Sequence, residues 1–345
     1  MAWLTEQPGE IAHAHGARAR ERKGFFTDTS ICIGCKACEV ACKEWNNVPA
    51  QTDLQLHRSS YDNTGGLGAN TWRHVAFIEQ DAERIEAARE SGRNLVNLGM
   101  PTVRATSSPA ASTDGPSVFD AAAASSSDLD TTPPDTDEFR WLMSSDVCKH
   151  CTHAGCLDVC PTGALFRTEF DTVVVQDDIC NGCGTCVAGC PFGVIERRRD
   201  GSIETKAERA DSRYAQEIPN PGTANKCTLC YDRLKDDQTP ACAQTCPTES
   251  IRFGDRADMV DRANRRVREL HAQGRTEARL YGANDNDGVG GTGSVFLLLD
   301  EPEVYGLPPD PQVPTAKLAR MYGTAALAAA GMTVGAVAAF LGARR

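Results

Sequence analysis

The chain has 345 residues and a formal net charge of −11, and only 6% of its residues are aromatic. This acidic composition argues against a nucleic-acid partner, because surfaces that bind nucleic acids are basic. The length allows one to three domains, each with a core of its own. Residues 1–24 are polar and basic without an apolar stretch, so they are interpreted as an N-terminal arm and not as a signal peptide.

Four runs of four cysteines account for all sixteen cysteines of the chain. Runs one and three have the spacing C-x2-C-x2-C-x3-C, which is typical of bacterial ferredoxins. Runs two and four keep the opening and closing pairs but have longer middle gaps. Run one is Cys32, Cys35, Cys38 and Cys42; run two is Cys148, Cys151, Cys156 and Cys160; run three is Cys180, Cys183, Cys186 and Cys190; run four is Cys227, Cys230, Cys242 and Cys246.

This spacing predicts ligands for four [4Fe–4S] clusters. Each cluster needs four thiolates at tetrahedral corners, and short gaps let one loop supply three of them. In two-cluster ferredoxins the last cysteine of a run, usually followed by proline, binds the other cluster. Pro161, Pro191 and Pro247 follow the last cysteines of runs two to four, whereas Lys43 follows run one.

Two other interpretations of the cysteines are disfavoured. A disulfide framework suits short secreted chains, whereas this chain is long and shows no cleavable signal. Zinc ribbons use two separated C-x2-C pairs, without a third and fourth cysteine followed by proline.

The segments between the runs predict several regular elements. A strand is predicted over 72–79 and a charged helix over 79–93, and both precede the flexible segment 101–137, which is too poor in apolar residues to order itself. Residues 164–168 and 172–176 are predicted to form a β-hairpin between runs two and three.

The pairing of the runs predicts the fold. Runs two and three are close in sequence, which leaves runs one and four to pair. The expected class is α+β: two ferredoxin-like two-cluster domains, one nested in the other, and a single C-terminal transmembrane helix. The predicted parts are an N-terminal arm (1–24), an outer domain (25–80 and 225–254), an insertion (81–137), an inner domain (138–196), a connecting loop (197–224), a C-terminal helix, strand and linker (255–314) and a membrane anchor (315–345).

The third quarter of the chain offers three weaker patterns. The basic run 197–199 is interpreted as a solvated turn. Met259, Ala263, Val267 and Leu270 recur at helical spacing and predict a surface helix packed on its own domain. A strand over 294–299 and a stiff proline-rich linker up to residue 314 are expected to follow.

Residues 321–343 carry no charge, and a helix over 323–342 would span roughly 30 Å, the thickness of a hydrocarbon core. A single-pass membrane anchor is therefore predicted, with a buried or interfacial helix as the alternative because alanine is so frequent. Gly331 and Gly335 provide a small-residue face for packing against another membrane helix. Two basic residues on each side give no orientation.

The order and gaps of the runs, with segments outside them, resemble the iron–sulfur β subunit of respiratory, membrane-bound formate dehydrogenases. These motifs are specific to the four-cluster subunits of molybdopterin oxidoreductases. The matching segments are ICIGCKACEVACKEWN (31–46), YDNTGGLGANTW (61–72), CKHCTHAGCLDVCPTGAL (148–165), CNGCGTCVAGCPF (180–192), KCTLCYDR (226–233), GVGGTGSVFLLL (288–299) and VYGLPPDP (304–311).

The resemblance implies a non-catalytic electron-transfer subunit at the cell membrane. A separate α subunit would hold a molybdenum or tungsten bis-pterin cofactor and oxidise formate, and a cytochrome b subunit would reduce quinone. An equivalent subunit of a sulfur-compound reductase or a membrane hydrogenase remains an alternative, as does a mainly structural anchor whose outer clusters only hold the fold.

Three residues near the runs carry separate expectations. His150 and His153 lie within a cysteine loop and are interpreted as structural. Lys226 directly precedes run four, where a cation between clusters would tune electron transfer, although an exposed lysine is an equally simple interpretation.

The reconstituted chain is expected to hold about sixteen irons and as many sulfides, because a cubane cluster contains four of each. Iron and sulfide analysis, with electron paramagnetic resonance of the anaerobic protein, measures this content. Stoichiometric zinc, or a stable iron content of about half that value or less, would contradict the prediction.

Overall fold

The computed structural model describes residues 21–49, 62, 64–97, 138–198 and 220–342. Most of the predicted N-terminal arm, all of the segment predicted to be flexible and most of the connecting loop therefore lie outside the described residues.

The described residues form a mixture of short strands and helices, as expected for an α+β protein. The strands are β1 (Lys23–Asp28), β2 (Arg73–Asp81), β3 (Phe139–Val147), β4 (Leu165–Arg167), β5 (Val173–Val175), β6 (Glu196–Arg197), β7 (Ala224–Asn225), β8 (Ile251–Asp255), β9 (Arg279–Tyr281) and β10 (Ser294–Leu298). The α-helices are α1 (Ala37–Trp45), α2 (Ala82–Asn97), α3 (Gly155–Asp158), α4 (Thr185–Gly189), α5 (Tyr231–Lys235), α6 (Ala241–Gln244), α7 (Arg256–Ala272) and α8 (Leu318–Gly342).

The largest sheet has four strands in the order β8-β1-β10-β9. β1 runs antiparallel to β8 and parallel to β10, which in turn is antiparallel to β9. All five residues of β10 are buried, as expected for a continuous apolar run at the centre of a sheet. Helix α7 packs on this sheet. Its buried residues are Met259, Ala263, Val267 and Leu270, which confirms the predicted helix.

A long antiparallel pair, β2 and β3, stands beside this sheet. Its register runs from Arg73 opposite Val147 to Asp81 opposite Phe139. The predicted strand and helix after run one are confirmed, but the helix begins later than expected because β2 stays paired up to Asp81. β3 was not predicted, since polar residues such as Arg140 occupy buried positions and hide its apolar alternation.

The hairpin between runs two and three is confirmed, with Leu165 opposite Val175. Two other expectations need correction. Of the basic run assigned to a solvated turn, Arg197 is exposed and Arg199 lies outside the described residues, but Arg198 is buried and donates to the carbonyl of Ala69 at 3.1 Å. The proline-rich linker is instead packed on the protein: it contains two 3-10 helices, Pro302–Tyr305 and Pro314–Lys317, and buries Leu307 between them.

One helix in the described part of the chain is long and apolar enough to cross a membrane, by length and composition alone. It covers the 29 residues Pro314–Gly342, including the last 3-10 turn, and none of its most apolar window is buried. Apart from the adjoining backbone of the same helix, no described atom lies within 4 Å of a Cβ built on Gly331 or Gly335. The other described residues therefore leave the predicted small-residue face uncovered.

Replacing Gly92 of α2 by alanine is expected to destabilise the protein by about 1–2 kcal/mol, because overpacking outweighs helix propensity. A Cβ at Gly92 would lie 2.3 Å from the carbonyl oxygen of Thr276 and 2.6 Å from the Cα of Glu277, both of them backbone atoms. Thermal unfolding of the cluster-loaded protein measures the effect.

Gly66→Ala is the matched control, since no described atom lies within 4 Å of its Cβ position. Its melting temperature is expected to equal that of the parent. An unchanged or higher melting temperature for Gly92→Ala would contradict the proposed close packing of α2 against residues 276–277.

Candidate metal centres

Three cysteines of run one lie together with the last cysteine of run four. Cys32, Cys35, Cys38 and Cys246 line one cavity, here called site A, together with Pro247. The large sheet explains this meeting, because β1 ends shortly before run one and β8 begins shortly after run four. The two strands are paired side by side at those ends.

Run two meets the last cysteine of run three in the same way. Cys148, Cys151, Cys156 and Cys190 line a second cavity, site C. The β4–β5 hairpin joins the two runs, since β4 starts after run two and β5 ends before run three.

The remaining cysteines form two further groups. In site B, Asn46 Nδ2 lies 3.7 Å from Cys42 Sγ and 3.8 Å from Cys230 Sγ, so the last cysteine of run one is next to run four. Cys227 and Cys242 complete this group. Burial is the main cause that raises the pKa of Cys42, and these two neighbouring cysteines raise it further.

Site D joins the last cysteine of run two to run three. Cys160 is close enough to both Cys183 and Cys186 to influence their pKa values, and Cys180 does the same to Cys186. Thr185 holds the two segments together, because its Oγ1 donates to the carbonyl of Val159 at 3.0 Å. In every site, therefore, the last cysteine of one run lies with the first three of another.

Sites A and C are clefts lined by four cysteines each. The space within them, including the part that opens to solvent, is ≈ 300 Å³ at site A and ≈ 360 Å³ at site C. Within the described ranges, no three Cys, His, Asp or Glu side chains converge closely enough for a single metal ion. The thiols surround a space and not a point, and none of the sixteen cysteines forms a disulfide.

Burial keeps most of these thiols protonated in the absence of a metal charge. It raises the pKa of Cys32 and Cys156 to about 12 and that of Cys38 to about 11. At the exposed edge of site D the pKa of Cys183 is lowered instead, first by a hydrogen bond with the Thr185 hydroxyl. A metal group must therefore displace protons from the buried thiols, so that its binding supplies folding energy as well.

The cysteine loops need backbone shapes that few residues adopt. Gly34 has φ 66°, and a Cβ there would lie 2.5 Å from Met143 Sδ and 2.6 Å from Phe77. Gly182 has φ 70°, and a Cβ there would lie 2.5 Å from the carbonyl oxygen of Gly222. Glycine at these two positions lets the loop curl without a clash.

Lys226 is not the exposed lysine that the simpler interpretation required. Only 2% of it is exposed, and it lines site C while directly preceding Cys227 of site B. Its Nζ donates to the carbonyl oxygens of Val173 and, at 3.1 Å, Cys227. The side chain therefore lies between two cysteine groups.

His150 is also buried beside site C, and its Nδ1 accepts the N–H of Val173 at 3.1 Å, whereas His153 is exposed. These contacts agree with a structural part for His150.

Sequence reasoning missed two polar residues at the cysteine groups, Arg73 and Ser145. Both are buried at facing ends of β2 and β3, and Ser145 Oγ lies 3.2 Å from Cys38 Sγ. No sequence motif predicts them, because their position next to run one depends on the register of a strand pair.

Comparisons with known proteins agree with these centres. A family described as "4Fe-4S dicluster domain" matches residues 31–164, and a second family with the same description matches residues 139–217 and 212–256. The matched residues include all sixteen cysteines.

Curated relatives cover most of the chain. The formate dehydrogenase iron-sulfur subunit of Haemophilus influenzae is 33% identical over 86% of this chain and 72% of its own length. The nitrate-inducible formate dehydrogenase iron-sulfur subunit of Escherichia coli is 32% identical over 84% of this chain and 73% of its own length. The thiosulfate reductase electron transfer subunit of Salmonella typhi is 42% identical over 66% of this chain and 72% of its own length. The chain belongs to the family of formate dehydrogenase iron–sulfur subunits, the electron-transfer proteins that its cysteine runs resemble.

Proposed function

We propose that this iron–sulfur subunit relays electrons from a molybdenum- or tungsten-pterin subunit that oxidises formate to a membrane cytochrome b subunit that reduces quinone. When bound, each [4Fe–4S] cluster takes up and releases one electron at a time. The residues of this chain hold the clusters, shield them from water and fix their order, while the formate chemistry lies on the partner. The observation that carries the proposal is that the cysteines gather in separate groups and that the helix carrying Cys156 of site C contacts the base of the apolar C-terminal helix.

We assign one cluster to each of sites A to D, with the four cysteines of each site as its ligands. The last cysteine of every run then binds outside its own run, as in two-cluster ferredoxins. Sites A and B would belong to the outer ferredoxin-like domain and sites C and D to an inner domain nested within it.

Neighbouring cysteines support the order A, B, C, D. Cys38 of site A and Cys42 of site B lie one turn apart on α1. The pKa of Cys227 in site B is raised mainly by burial, and the next largest cause is the neighbouring Cys148 of site C. Sites C and D adjoin because α3, which carries Cys156, packs against α4.

The base of the C-terminal helix supports a direction. Thr315 Oγ1 donates to Asp158 Oδ2 at 2.7 Å, at the end of α3. Pro314 lies 3.1 Å from the Cβ position of Gly155, at the start of the same helix. Sites C and D therefore adjoin the segment that enters the membrane, and site A is the distant end. Electrons would enter at site A, where Ile33 is 48% exposed beside Cys32, and would leave from site D.

Lys226 supports the step between sites B and C. A buried cation between two groups that gain negative charge lowers the electrostatic cost of placing an electron on either of them. The backbone carbonyls of Val173 and Cys227 hold its position.

An equivalent subunit of a sulfur-compound reductase is the second candidate. The observation that favours it is the higher identity, 42%, with the thiosulfate reductase electron transfer subunit, although over a shorter part of this chain. The two candidates share the relay and differ in the catalytic partner, so the electron donor or acceptor of the isolated complex decides between them.

Truncation after Pro314 is expected to abolish formate-dependent quinone reduction in membranes and to leave formate oxidation with a soluble dye unchanged. The change removes the apolar helix but keeps the described cysteine sites. Both activities are measured on the complex. Gly323→Ala, which meets no described atom within 4 Å, is the full-length control. Quinone reduction that survives truncation would mean that the anchor is dispensable.

Cys35→Ala is expected to block formate-driven reduction of the clusters, whereas Cys183→Ala is expected to leave reduction of the clusters upstream of site D unchanged. Both cysteines are exposed, so the two changes carry similar folding costs. Loss of site A should leave the remaining clusters oxidised, whereas loss of site D should leave the upstream clusters reducible at the parent rate. Freeze-quench electron paramagnetic resonance of the complex follows this. Rapid reduction in Cys35→Ala would contradict the proposed entry at site A.

A further inference from the structure

Arg73 is a buried cation at the junction of sites A and B. It is the first residue of β2, and only 1% of it is exposed. Its guanidinium carbon lies 4.8 Å from the centre of the Phe25 ring, which covers one side.

The hydrogen bonds of Arg73 connect it to site A. Nη1 donates to Ser145 Oγ at 3.0 Å and to the carbonyl of Ser145 at 3.3 Å. The same hydroxyl lies 3.2 Å from Cys38 Sγ. Ser145 therefore links the guanidinium to a cysteine of site A through one oxygen atom.

The positive charge of Arg73 has no carboxylate partner in the described ranges. No Asp or Glu oxygen there comes within 4.0 Å of its nitrogens, and Nε and Nη2 have no hydrogen-bond partner. An unpaired buried charge is costly, and buried charges are normally paired. The groups that face Arg73 electrostatically are Cys242 and Cys38 first, followed by Cys227 and Cys42.

These four cysteines belong to two sites. Cys38 is part of site A, and Cys242, Cys227 and Cys42 are part of site B. The Ser145 hydroxyl joins Arg73 to Cys38 of site A, and Cys42 of site B follows Cys38 by one turn of α1.

We propose that Arg73 is the charge-compensating residue for sites A and B and sets the reduction potentials of the clusters held there. Reduction adds one electron and therefore one negative charge to a site that is already anionic. A fixed cation beside both sites stabilises the reduced state, so the potentials of both are higher than they would be without it. Arg73 exchanges neither protons nor electrons in this step. The inference rests on the proposed cluster assignment.

Sites C and D provide an internal control. Arg73 does not line site C, where Lys226 is the nearby cation, and no cysteine of site C or site D is among its main electrostatic neighbours. A change at residue 73 should therefore affect two of the four reduction steps and leave the other two in place.

The test is a redox titration of the cluster-loaded full chain, followed by electron paramagnetic resonance, for the parent, Arg73→Met and Arg73→Lys. Methionine keeps much of the volume without the charge, and lysine keeps the charge without the planar fork. In Arg73→Met, two midpoints should fall by at least a tenfold change in the reduction equilibrium, about 59 mV for a one-electron couple. The other two midpoints should stay at their parent values. Arg73→Lys should keep all four midpoints near those of the parent.

Several outcomes would overturn the inference. Four unchanged midpoints in Arg73→Met would remove the electrostatic effect, and an equal fall of all four would indicate general loosening of the fold. If Arg73→Met lost iron, Arg73→Lys would decide alone: full iron with parent midpoints supports the charge, and lost iron or lowered midpoints refute it. A parent chain with fewer than four clusters would instead refute the proposed cluster assignment, so the two failures are distinguishable.

Discussion

The structure depends on thiols from distant parts of the chain meeting around a common space. Each cysteine loop supplies three sulfurs of a site, and the fourth comes from another run. Strand pairing achieves this at two scales. The β4–β5 hairpin joins adjacent runs, whereas β1 and β8 join the two ends of the cysteine-rich region, with Thr27 opposite Ile251. The main role of these short strands is thus to position the sulfurs.

Gathering sixteen cysteines that must become thiolates calls for positive charge nearby, which the net charge of the chain does not indicate. The chain is acidic overall, at −11, but cations are buried where the cysteines gather. Arg73 lies beside sites A and B, and Lys226 lies between B and C. Once a metal group has displaced their protons, buried thiolates and buried cations stabilise one another, because either charge alone would be costly to remove from water. Among the described residues, the buried charged side chains accordingly include more cations than carboxylates.

The sequence was most informative where a period or a spacing is local. The cysteine runs, the β4–β5 hairpin and the four buried positions of α7 are visible as short-range patterns, and the structure has these elements. It was least informative where burial is decided by a distant partner. β3 and Arg198 look polar in sequence, and both are buried because their side chains find hydrogen-bond partners from other segments.

The candidate sites divide in the same way. The cysteines could be identified from spacing, and Lys226 could be suspected because it adjoins a ligand run. Arg73 could not be found, because its importance follows from a register that places it opposite Val147. Prolines were misleading for a related reason. They indicate a stiff segment, but they do not say whether residues between them, such as Leu307, find a surface to pack on.

The β2–β3 ladder has a consequence for where this protein tolerates attachments. Its Arg73 end adjoins the sulfurs, and at the other end the chain leaves the ladder at Asp81 and returns at Phe139. Eight strand steps of about 3.4 Å separate the two ends by roughly 27 Å. The loop of run one does not lie at the Arg73 end alone, because the Cβ position of Gly34 is 2.5 Å from Met143 Sδ in the middle of the ladder. A spectroscopic label or an inserted reporter at residue 139 would lie four strand steps beyond Met143, roughly 14 Å along the strand. The paired strands therefore keep an attachment at this end at a fixed separation from the run-one loop.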